Sequence, residues 1–97
     1  MKRRLVLSPR AQNDLDAIWD FTAARWGLAQ ARRYSDGLWD AVTAVATGTK
    51  SGRTTSAMRR DYLRLPIGSH VVFYRARTDT VDVIRILHER MAPGDNL

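Results

Sequence analysis

The apolar residues of this chain change their spacing once, from a helical period in the first half to a strand period in the second. Between residues 9 and 47 they recur every three or four positions, in two successive stripes that break at residue 27. Between residues 59 and 88 the period is close to two. The pattern therefore predicts two helices followed by strands, in a single domain that covers residues 1–97.

The ends of both helices are marked by capping residues. Residues 3–7 predict a short strand, and Ser8 directly after it is a good helix N-cap. Pro9 suits the first helical turn, because its missing N–H would have no partner there. Gly27 and Gly48 predict where the first and the second helix end. Because the link at Gly27 is short, the two helices are expected to form an antiparallel hairpin.

Each predicted helix carries one apolar stripe that would cover the sheet. The stripe residues are Ala11, Leu15, Ile18, Trp19, Thr22 and Trp26 on the first helix, and Ala31, Tyr34, Leu38, Ala41, Val42 and Val45 on the second. We expect Trp19 and Trp26 to lie in the core. Trp39 falls off the main stripe, so it is a candidate exposed anchor for a partner protein, with partial burial at the edge of the hairpin as the alternative.

Three strand segments follow the helices. The predicted strands are residues 59–65, 70–77 and 81–88, with turn signals at 66–68 and 78–80. Because both links are short, these strands should form an antiparallel meander, which the first strand joins. Residues 48–58 are expected to be a basic loop and residues 89–97 a polar tail. The fold class is α+β, in the order β-α-α-β-β-β, with the helical hairpin packed on a small, mainly antiparallel sheet.

The chain is strongly cationic, with a formal net charge of +6 at pH 7. Most of the excess lies in residues 50–77, a stretch in which Asp61 is the only acidic residue. The cations of this stretch are Lys50, Arg53, Arg59, Arg60, Arg64, Arg75 and Arg77. Charge of this sign attracts nucleic acid or an acidic protein. The alternative is a solvated basic face without a partner.

Several kinds of protein are excluded by what the sequence lacks. Without cysteine there is no disulfide scaffold and no thiolate metal site. The His, Asp and Glu residues show no metal-ligand spacing, so neither a metal nor a cofactor is expected. No apolar run approaches the roughly 20 residues of a membrane span, so we expect a cytoplasmic protein without membrane contact. The aspartates of the first helix are expected on its solvated side: Asp14, Asp16 and Asp20.

One enzymatic hypothesis is compatible with the strand residues. Arg64 and Arg85 lie in predicted strands, and His88 ends one. Arginines that hold a phosphate, with an imidazole beside them for proton transfer, can cleave RNA without a metal. The structural alternatives are an ion pair of Arg85 with Asp82 or Glu89, and a hydrogen bond from His88 to the backbone.

Two runs in the second half resemble ParE toxins of the RelE/ParE superfamily. These runs are Gly68-Ser69-His70-Val71-Val72-Phe73-Tyr74-Arg75 and Val83-Ile84-Arg85-Ile86-Leu87-His88-Glu89-Arg90-Met91. Shorter runs are similar to the N-terminal half of that family: Leu7-Ser8-Pro9-Arg10-Ala11, Asp14-Leu15, Ile18-Trp19, Trp26-Gly27 and Gln30-Ala31. The resemblance extends over nearly the whole chain.

This resemblance implies the same β-α-α-β-β-β fold and a role as the toxin of a type II toxin–antitoxin pair. It also implies a ParD-like antitoxin whose disordered C-terminal segment folds on the toxin. ParE toxins with an assigned target mostly poison DNA gyrase, whereas RelE-branch relatives cut messenger RNA on the ribosome. Here Glu89 follows His88 and no tyrosine does, which departs from the nucleases. We therefore expect a gyrase poison that acts by binding, with a ribosome-dependent endoribonuclease using Arg64, Arg85 and His88 as the alternative.

The partners follow from the same resemblance together with the charge. The residues expected to contact the antitoxin are Trp19, Trp39, Arg60, Arg64, Arg75 and Arg77. Those expected to contact the target are Lys50, Arg53, Arg59 and Arg90. An acidic disordered peptide would be drawn to residues 50–77, placing apolar side chains in the helical hairpin or adding a strand at a free sheet edge. The toxin would form a hetero-oligomer with the antitoxin, and an indirect contact with DNA through the antitoxin or gyrase is compatible with the charge. A purely regulatory module that binds its antitoxin without toxicity is a further alternative.

Overall fold

The computed structural model describes residues 2–54, 61–91 and 93–97 of the chain. Its elements are β1 (Arg4–Leu7), α1 (Pro9–Trp26), α2 (Leu28–Thr47), β2 (Leu63–Ile67), β3 (His70–Ala76), β4 (Thr80–His88) and the short α3 (Pro93–Asn96). The strands form one sheet in the order β1-β4-β3-β2, in which β1 is parallel to β4 and the other pairs are antiparallel. The predicted α+β fold class is confirmed.

The predicted helix boundaries agree with the structure because the capping signals are local. Ser8 is the N-cap of α1, and its hydroxyl oxygen accepts a hydrogen bond from the backbone N–H of Ala11 at 3.0 Å. Pro9 is the first residue of this helix. Gly27 and Gly48 end α1 and α2, both with positive φ.

The main core lies between the helical hairpin and one face of the sheet. Its buried members are Ala11, Ile18, Leu38, Ala41, Val42, Val45, Ala46, Leu65, Val72, Tyr74, Val81, Val83 and Ile86. Val71 and Phe73 alternate with Val72 and Tyr74 along β3, so they point to the opposite face. There they form a second buried cluster with Leu87, against which Leu97 packs. The segment predicted as a polar tail thus carries α3 and covers part of this second face.

Trp26 is not in the core, contrary to the expectation from its stripe. Its side chain is 64% exposed, whereas the buried positions of α1 are Ala11, Ile18 and Thr22. The part of α1 that the sheet covers therefore ends about one turn before Trp26. A helical stripe continues as long as the helix does, but the surface beneath it does not.

The first strand of the meander is shifted relative to its prediction. Residues 59 and 60 lie outside the described residues, and β2 begins only at Leu63. Pro66 was expected in the turn but lies inside β2, opposite Val71. Because β2 is an edge strand, the N–H that Pro66 lacks would have faced away from the sheet. The turn consists of Gly68 and Ser69.

Candidate interaction surfaces

An open apolar groove lies between α1 and the adjoining ends of β3 and β4. We call it the histidine groove and define it by Ile18, Phe21, His70, His88 and Met91, which line a cavity of about 270 Å³. The side chains of Phe21 and Met91 are 64% and 41% exposed. Exposed apolar side chains around a concave surface are typical of a site that receives apolar side chains of a partner.

Tyr34, His70 and His88 form a chain of three aromatic rings, of which the two imidazoles line the histidine groove. The hydroxyl of Tyr34 lies 2.5 Å from Nδ1 of His70 and accepts a hydrogen bond from the N–H of Ser69 at 3.1 Å. His70 and His88 are directly opposite in the β3–β4 register, with ring centroids 5.4 Å apart. Nδ1 of His88 accepts a hydrogen bond from the N–H of Arg90 at 3.2 Å. Both imidazoles therefore have a set orientation beside the groove.

The environment of Tyr34 and His70 favours their uncharged forms. The pKa of His70 is lowered mainly by burial and further by the neighbouring His88, while Glu89 and Asp14 oppose the shift. Burial likewise raises the pKa of Tyr34. Within the described residues, no group of three or more side chains is placed to hold a metal ion. The groove is lined mainly by apolar side chains, and its Arg85 is already paired with Asp14, so it suits an apolar side chain better than a phosphate.

The meeting of His70 and His88 was missed at the sequence level. His70 begins the predicted strand 70–77, and His88 ends the predicted strand 81–88. In an antiparallel hairpin those two positions are neighbours, so the predicted meander already contained the signal. The contact with Tyr34 of α2 could not be found in this way, because it depends on how the helix crosses the sheet.

Arg85 is engaged by a partner that the sequence did not indicate. Its Nε and Nη2 each donate to the carboxylate of Asp14 at 2.8 Å, and the hydrogen bonds raise the pKa of Arg85. Asp14 was expected to be solvated, but its side chain is only 14% exposed. Of the partners proposed for Arg85, Asp82 pairs instead with Arg77 at 2.6 Å.

The reason for this pairing is the short length of β1. That strand ends at Leu7, so among the described residues the second half of β4 has no neighbouring strand on this side. The start of α1 takes its place: Ser8 Oγ donates to the carbonyl of Ile84 at 2.7 Å, and Asp14 accepts from the N–H of Ile86 at 2.9 Å. Asp14 is therefore drawn to β4 by the backbone as well as by Arg85.

The three residues of the nuclease hypothesis are not gathered in one cleft. Arg85 and His88 both line the histidine groove, where Asp14 holds Arg85 in an ion pair, and His88 lies on the helix side of the sheet. Arg64 lies between two residues of the main core in β2, so it points to the opposite face.

The predicted cationic residues fall into three groups. Two are in ion pairs: Arg75 with Asp61 at 2.7 Å and Arg77 with Asp82. Lys50, Arg53, Arg64 and Arg90 are exposed. Arg59 and Arg60 lie outside the described residues. Backbone hydrogen bonds in both directions hold Arg53 beside Arg64, at 2.9 and 2.8 Å, so these two exposed cations are adjacent.

Trp19 and Trp39, the predicted aromatic contacts of the antitoxin, share a groove on the outer side of the helical hairpin. This second groove has a volume of about 300 Å³ and also includes polar residues such as Arg32 and Asp36. Trp39 is 41% exposed, and Trp19, which was expected in the core, is instead half-buried in the lining of this groove. The structure thus brings the two tryptophans to one surface.

Comparison with known proteins decides the family. A family model described as the ParE toxin of the type II toxin–antitoxin system parDE matches residues 5–93. The chain belongs to the ParE toxin family. It is 43% identical over 98 residues to Toxin ParE1 of Mycobacterium tuberculosis strain H37Rv, with both chains covered completely. It is 41% identical over 85 residues to Toxin ParE1 of Caulobacter vibrioides, covering 88% of each chain.

Two solved structures share the fold of this ParE toxin at low sequence identity. One belongs to the chromosomal ParDE toxin–antitoxin system of P. aeruginosa, with a TM-score of 0.77, 19% identity and coverage of 89% of this chain and 95% of the other. The other is the YoeB dimer of Staphylococcus aureus, with a TM-score of 0.65, 9% identity and coverage of 92% and 99%. At these identities the likeness establishes the fold alone.

Membership in the ParE family assigns this toxin to a pair with an antitoxin protein. Its two grooves and its exposed cations are therefore candidate surfaces for contact with macromolecules. Among the described residues, no helix is long and apolar enough to cross a membrane.

Proposed function

We propose that this ParE toxin acts by binding and poisoning DNA gyrase, and that a ParD-like antitoxin neutralises it. The observation that carries the proposal is the ion pair of Arg85 with Asp14. Metal-independent RNA cleavage needs a cation that is free to hold the phosphate beside an imidazole. Arg85 is neutralised, and Arg64 points away from the face on which His88 lies. Binding without catalysis accounts for this arrangement better than a nuclease does.

The antitoxin contact is proposed at the residues predicted from sequence and, in addition, at the histidine groove. The proposed residues are Trp19, Trp39, Arg60, Arg64, Arg75 and Arg77. An acidic segment that folds on binding would place apolar side chains beside Phe21 and Met91 and carboxylates near the exposed cations. The P. aeruginosa ParDE structure supports a partner of the ParD type.

The target contact is proposed at Lys50, Arg53, Arg59 and Arg90. Arginine and lysine side chains suit carboxylates on gyrase or the phosphates of the DNA that gyrase holds. Lys50, Arg53 and Arg90 are exposed, as such a contact requires. Because gyrase works on cytoplasmic DNA, the proposal includes a cytoplasmic location.

The decisive experiment adds purified toxin to purified gyrase and plasmid. We expect supercoiling to fall and cleaved plasmid to accumulate. The double variant Lys50→Glu/Arg53→Glu should lose this effect, whereas Arg33→Glu, an exposed charge reversal on α2, should keep it. Unchanged supercoiling and cleavage with folded toxin would contradict the proposal.

A translation extract separates the remaining possibilities. Messenger cleavage that disappears with His88→Ala would favour the ribosome-dependent nuclease. A toxin that affects neither gyrase nor messenger, yet binds its antitoxin, would be a regulatory module.

A further inference from the structure

The sheet has two outer edges, formed by β1 and β2, because its strand order is β1-β4-β3-β2. An edge strand presents backbone N–H and C=O groups to which another chain can add a strand. The two edges differ in how many of these groups are already used. That difference decides where strand addition can occur.

The β2 edge is largely closed. The outward N–H and C=O of Arg64 exchange hydrogen bonds with Arg53 at 2.8 and 2.9 Å. The next outward residue along the strand is Pro66, which has no N–H to offer. The covering segment fits closely, since a Cβ on Gly52 would lie 2.6 Å from the carbonyl oxygen of Arg64. An added strand would have to displace this segment.

The β1 edge is open from Leu5 onward; before the strand begins, the N–H of Arg3 donates to the carbonyl of Ala46 in α2 at 2.8 Å. The N–H groups of Arg4 and Ser8 donate to backbone carbonyls on the β4 side, at 2.9 and 3.0 Å. Every second residue of a strand points the same way, so the N–H and C=O of Leu5 and Leu7 point away from β4. Within the part of the chain that the structure describes, these outward groups of Leu5 and Leu7 have no hydrogen-bond partner.

The side chains beside this edge are apolar on both faces of the sheet. Val6, on the face away from the helices, is 38% exposed. On the helix side, a small apolar crevice lies between Leu7 and Trp39, and Trp39 is 41% exposed. A strand laid along β1 would therefore contact Val6 with one set of side chains and Trp39 with the alternate set.

The charges beside the β1 edge favour an acidic segment as the added strand. Lys2, Arg3 and Arg4 are consecutive cations at the start of β1, and Lys2 and Arg4 are exposed. A second copy paired in parallel would bring its own three cations to the same place, and in either orientation two chains of net charge +6 repel each other. An acidic segment would instead be attracted.

We propose that the outer edge of β1 receives an extended acidic segment of the antitoxin as an added strand, hydrogen-bonded to the backbone of Leu5 and Leu7. This inference rests on the proposed pairing with an antitoxin and specifies the edge that pairing uses. Backbone hydrogen bonds would supply affinity, and Val6, Trp39 and the cations would supply selectivity.

The test is amide hydrogen exchange, measured by NMR on the free toxin and on its complex with the antitoxin encoded beside its gene. We expect the amides of Leu5 and Leu7 to exchange freely in the toxin and at least tenfold more slowly in the complex. The amides of Arg53 and Arg64 should be protected in both samples, because they already pair with each other.

A charge reversal supplies an independent measurement. Arg4→Glu should weaken antitoxin binding about tenfold or more, whereas the matched reversal Arg33→Glu on the outside of α2 should change it less than twofold. Both residues are exposed, so both variants should fold.

The outcomes separate this inference from the proposed function. A complex that forms while the amides of Leu5 and Leu7 exchange freely would overturn the inference that the antitoxin adds a strand to β1. It would leave the proposed pairing with an antitoxin intact. If no complex forms, the antitoxin pairing itself fails. Protection of both amides in the free toxin that grows with its concentration would show that a second copy occupies the edge, and would also overturn the inference.

Discussion

Asp14 and Arg85 lie 71 positions apart in sequence and form a two-pronged ion pair, with both donor–acceptor distances at 2.8 Å. Their side chains are only 14% and 13% exposed. Asp14 also accepts from the N–H of Ile86, and Nη1 of Arg85 donates to the carbonyl of Asn96 at 2.7 Å. One pair of side chains thus connects α1, β4 and the C-terminal segment.

Removing either charge of this pair should destabilise the fold, because the remaining charge stays mostly buried without its partner. Asp14→Asn keeps an oxygen for the N–H of Ile86, and we expect it to lower the free energy of unfolding by about 3 kcal/mol. Asp14→Ala also loses that acceptor and should cost more. Asp16→Asn, exposed on the same helix, is the control and should change stability by less than about 0.5 kcal/mol in urea unfolding. Equal effects at positions 14 and 16 would contradict the structural role of the pair.

Replacing glycine by alanine should change the stability of the fold in opposite directions at Gly68 and Gly37. Gly68 has φ +57, and a Cβ there would lie 2.8 Å from Cε1 of Tyr34. Gly68→Ala should therefore lower stability by about 1–3 kcal/mol. Gly37, inside α2, has open space around its Cα, so Gly37→Ala should raise stability by about 0.5–1 kcal/mol through helix propensity. Thermal unfolding should give a lower midpoint temperature for Gly68→Ala and a higher one for Gly37→Ala. A stabilised Gly68→Ala would mean that the turn is not formed as described.

His70 should make stability fall in mildly acidic solution. Its pKa is lowered in the folded state, so below about pH 6.5 the unfolded chain binds more protons than the folded one. The contribution of His70 to the free energy of unfolding is present above about pH 6.5. It is lost as the pH falls from the pKa of His70 in the unfolded chain toward its lower pKa in the folded chain. The charged groups that act on His70 are His88, Glu89 and Asp14.

The measurement is the urea midpoint at about pH 7.5 and about pH 5.5 for the wild type and for His70→Asn. Asn keeps an oxygen close to where Nδ1 of His70 meets Tyr34 but does not titrate. The drop in stability between the two pH values should be smaller in the variant. An identical drop would assign the acid sensitivity to other groups.

The histidine groove should carry part of the affinity for the antitoxin. Phe21→Ala removes an exposed wall of the groove, so it should weaken binding about tenfold or more while leaving the free energy of unfolding within about 0.5 kcal/mol. Leu28→Ala is the matched control, because Leu28 is 69% exposed and does not line the groove. Isothermal titration with the antitoxin measures both. Similar losses for the two variants would argue against a role of the groove.

Binding of the antitoxin should weaken as the salt concentration rises, since the exposed cations are screened. We expect the decline to become shallower when Arg64 and Arg77, two exposed cations of the proposed antitoxin contact, are replaced together by Gln. Affinities measured between about 0.05 M and about 0.5 M salt provide the comparison. An affinity that is independent of salt would indicate that apolar contacts dominate the complex.

The predictions that were confirmed depend on a few neighbouring residues. Ser8 and Pro9 start α1, and Gly27 and Gly48 end the two helices. These ends are predictable because the hydrogen bonds that cap a helix join residues within one turn of each other. The meander was predictable for the same reason, since a period of two and short links leave only hairpins.

The predictions that were wrong concern where an element lies relative to another. Trp26 continues the stripe of α1 but extends beyond the sheet. Asp14 has the spacing of a solvated residue, yet it meets the unpaired half of β4. Pro66 carries a turn signal but lies in an edge strand, where proline is tolerated.

By itself, the sequence determined which segments become helices and strands and the layered class of fold, because periodicity and capping act locally along the chain. Tertiary structure alone decided that Arg85 is neutralised by Asp14 and that β1 is the open edge of the sheet. Those relationships arise where residues from opposite ends of the chain meet, and they depend on strand order, on the length of β1 and on the path of α1 across β4. Local patterns carry no information on these three quantities.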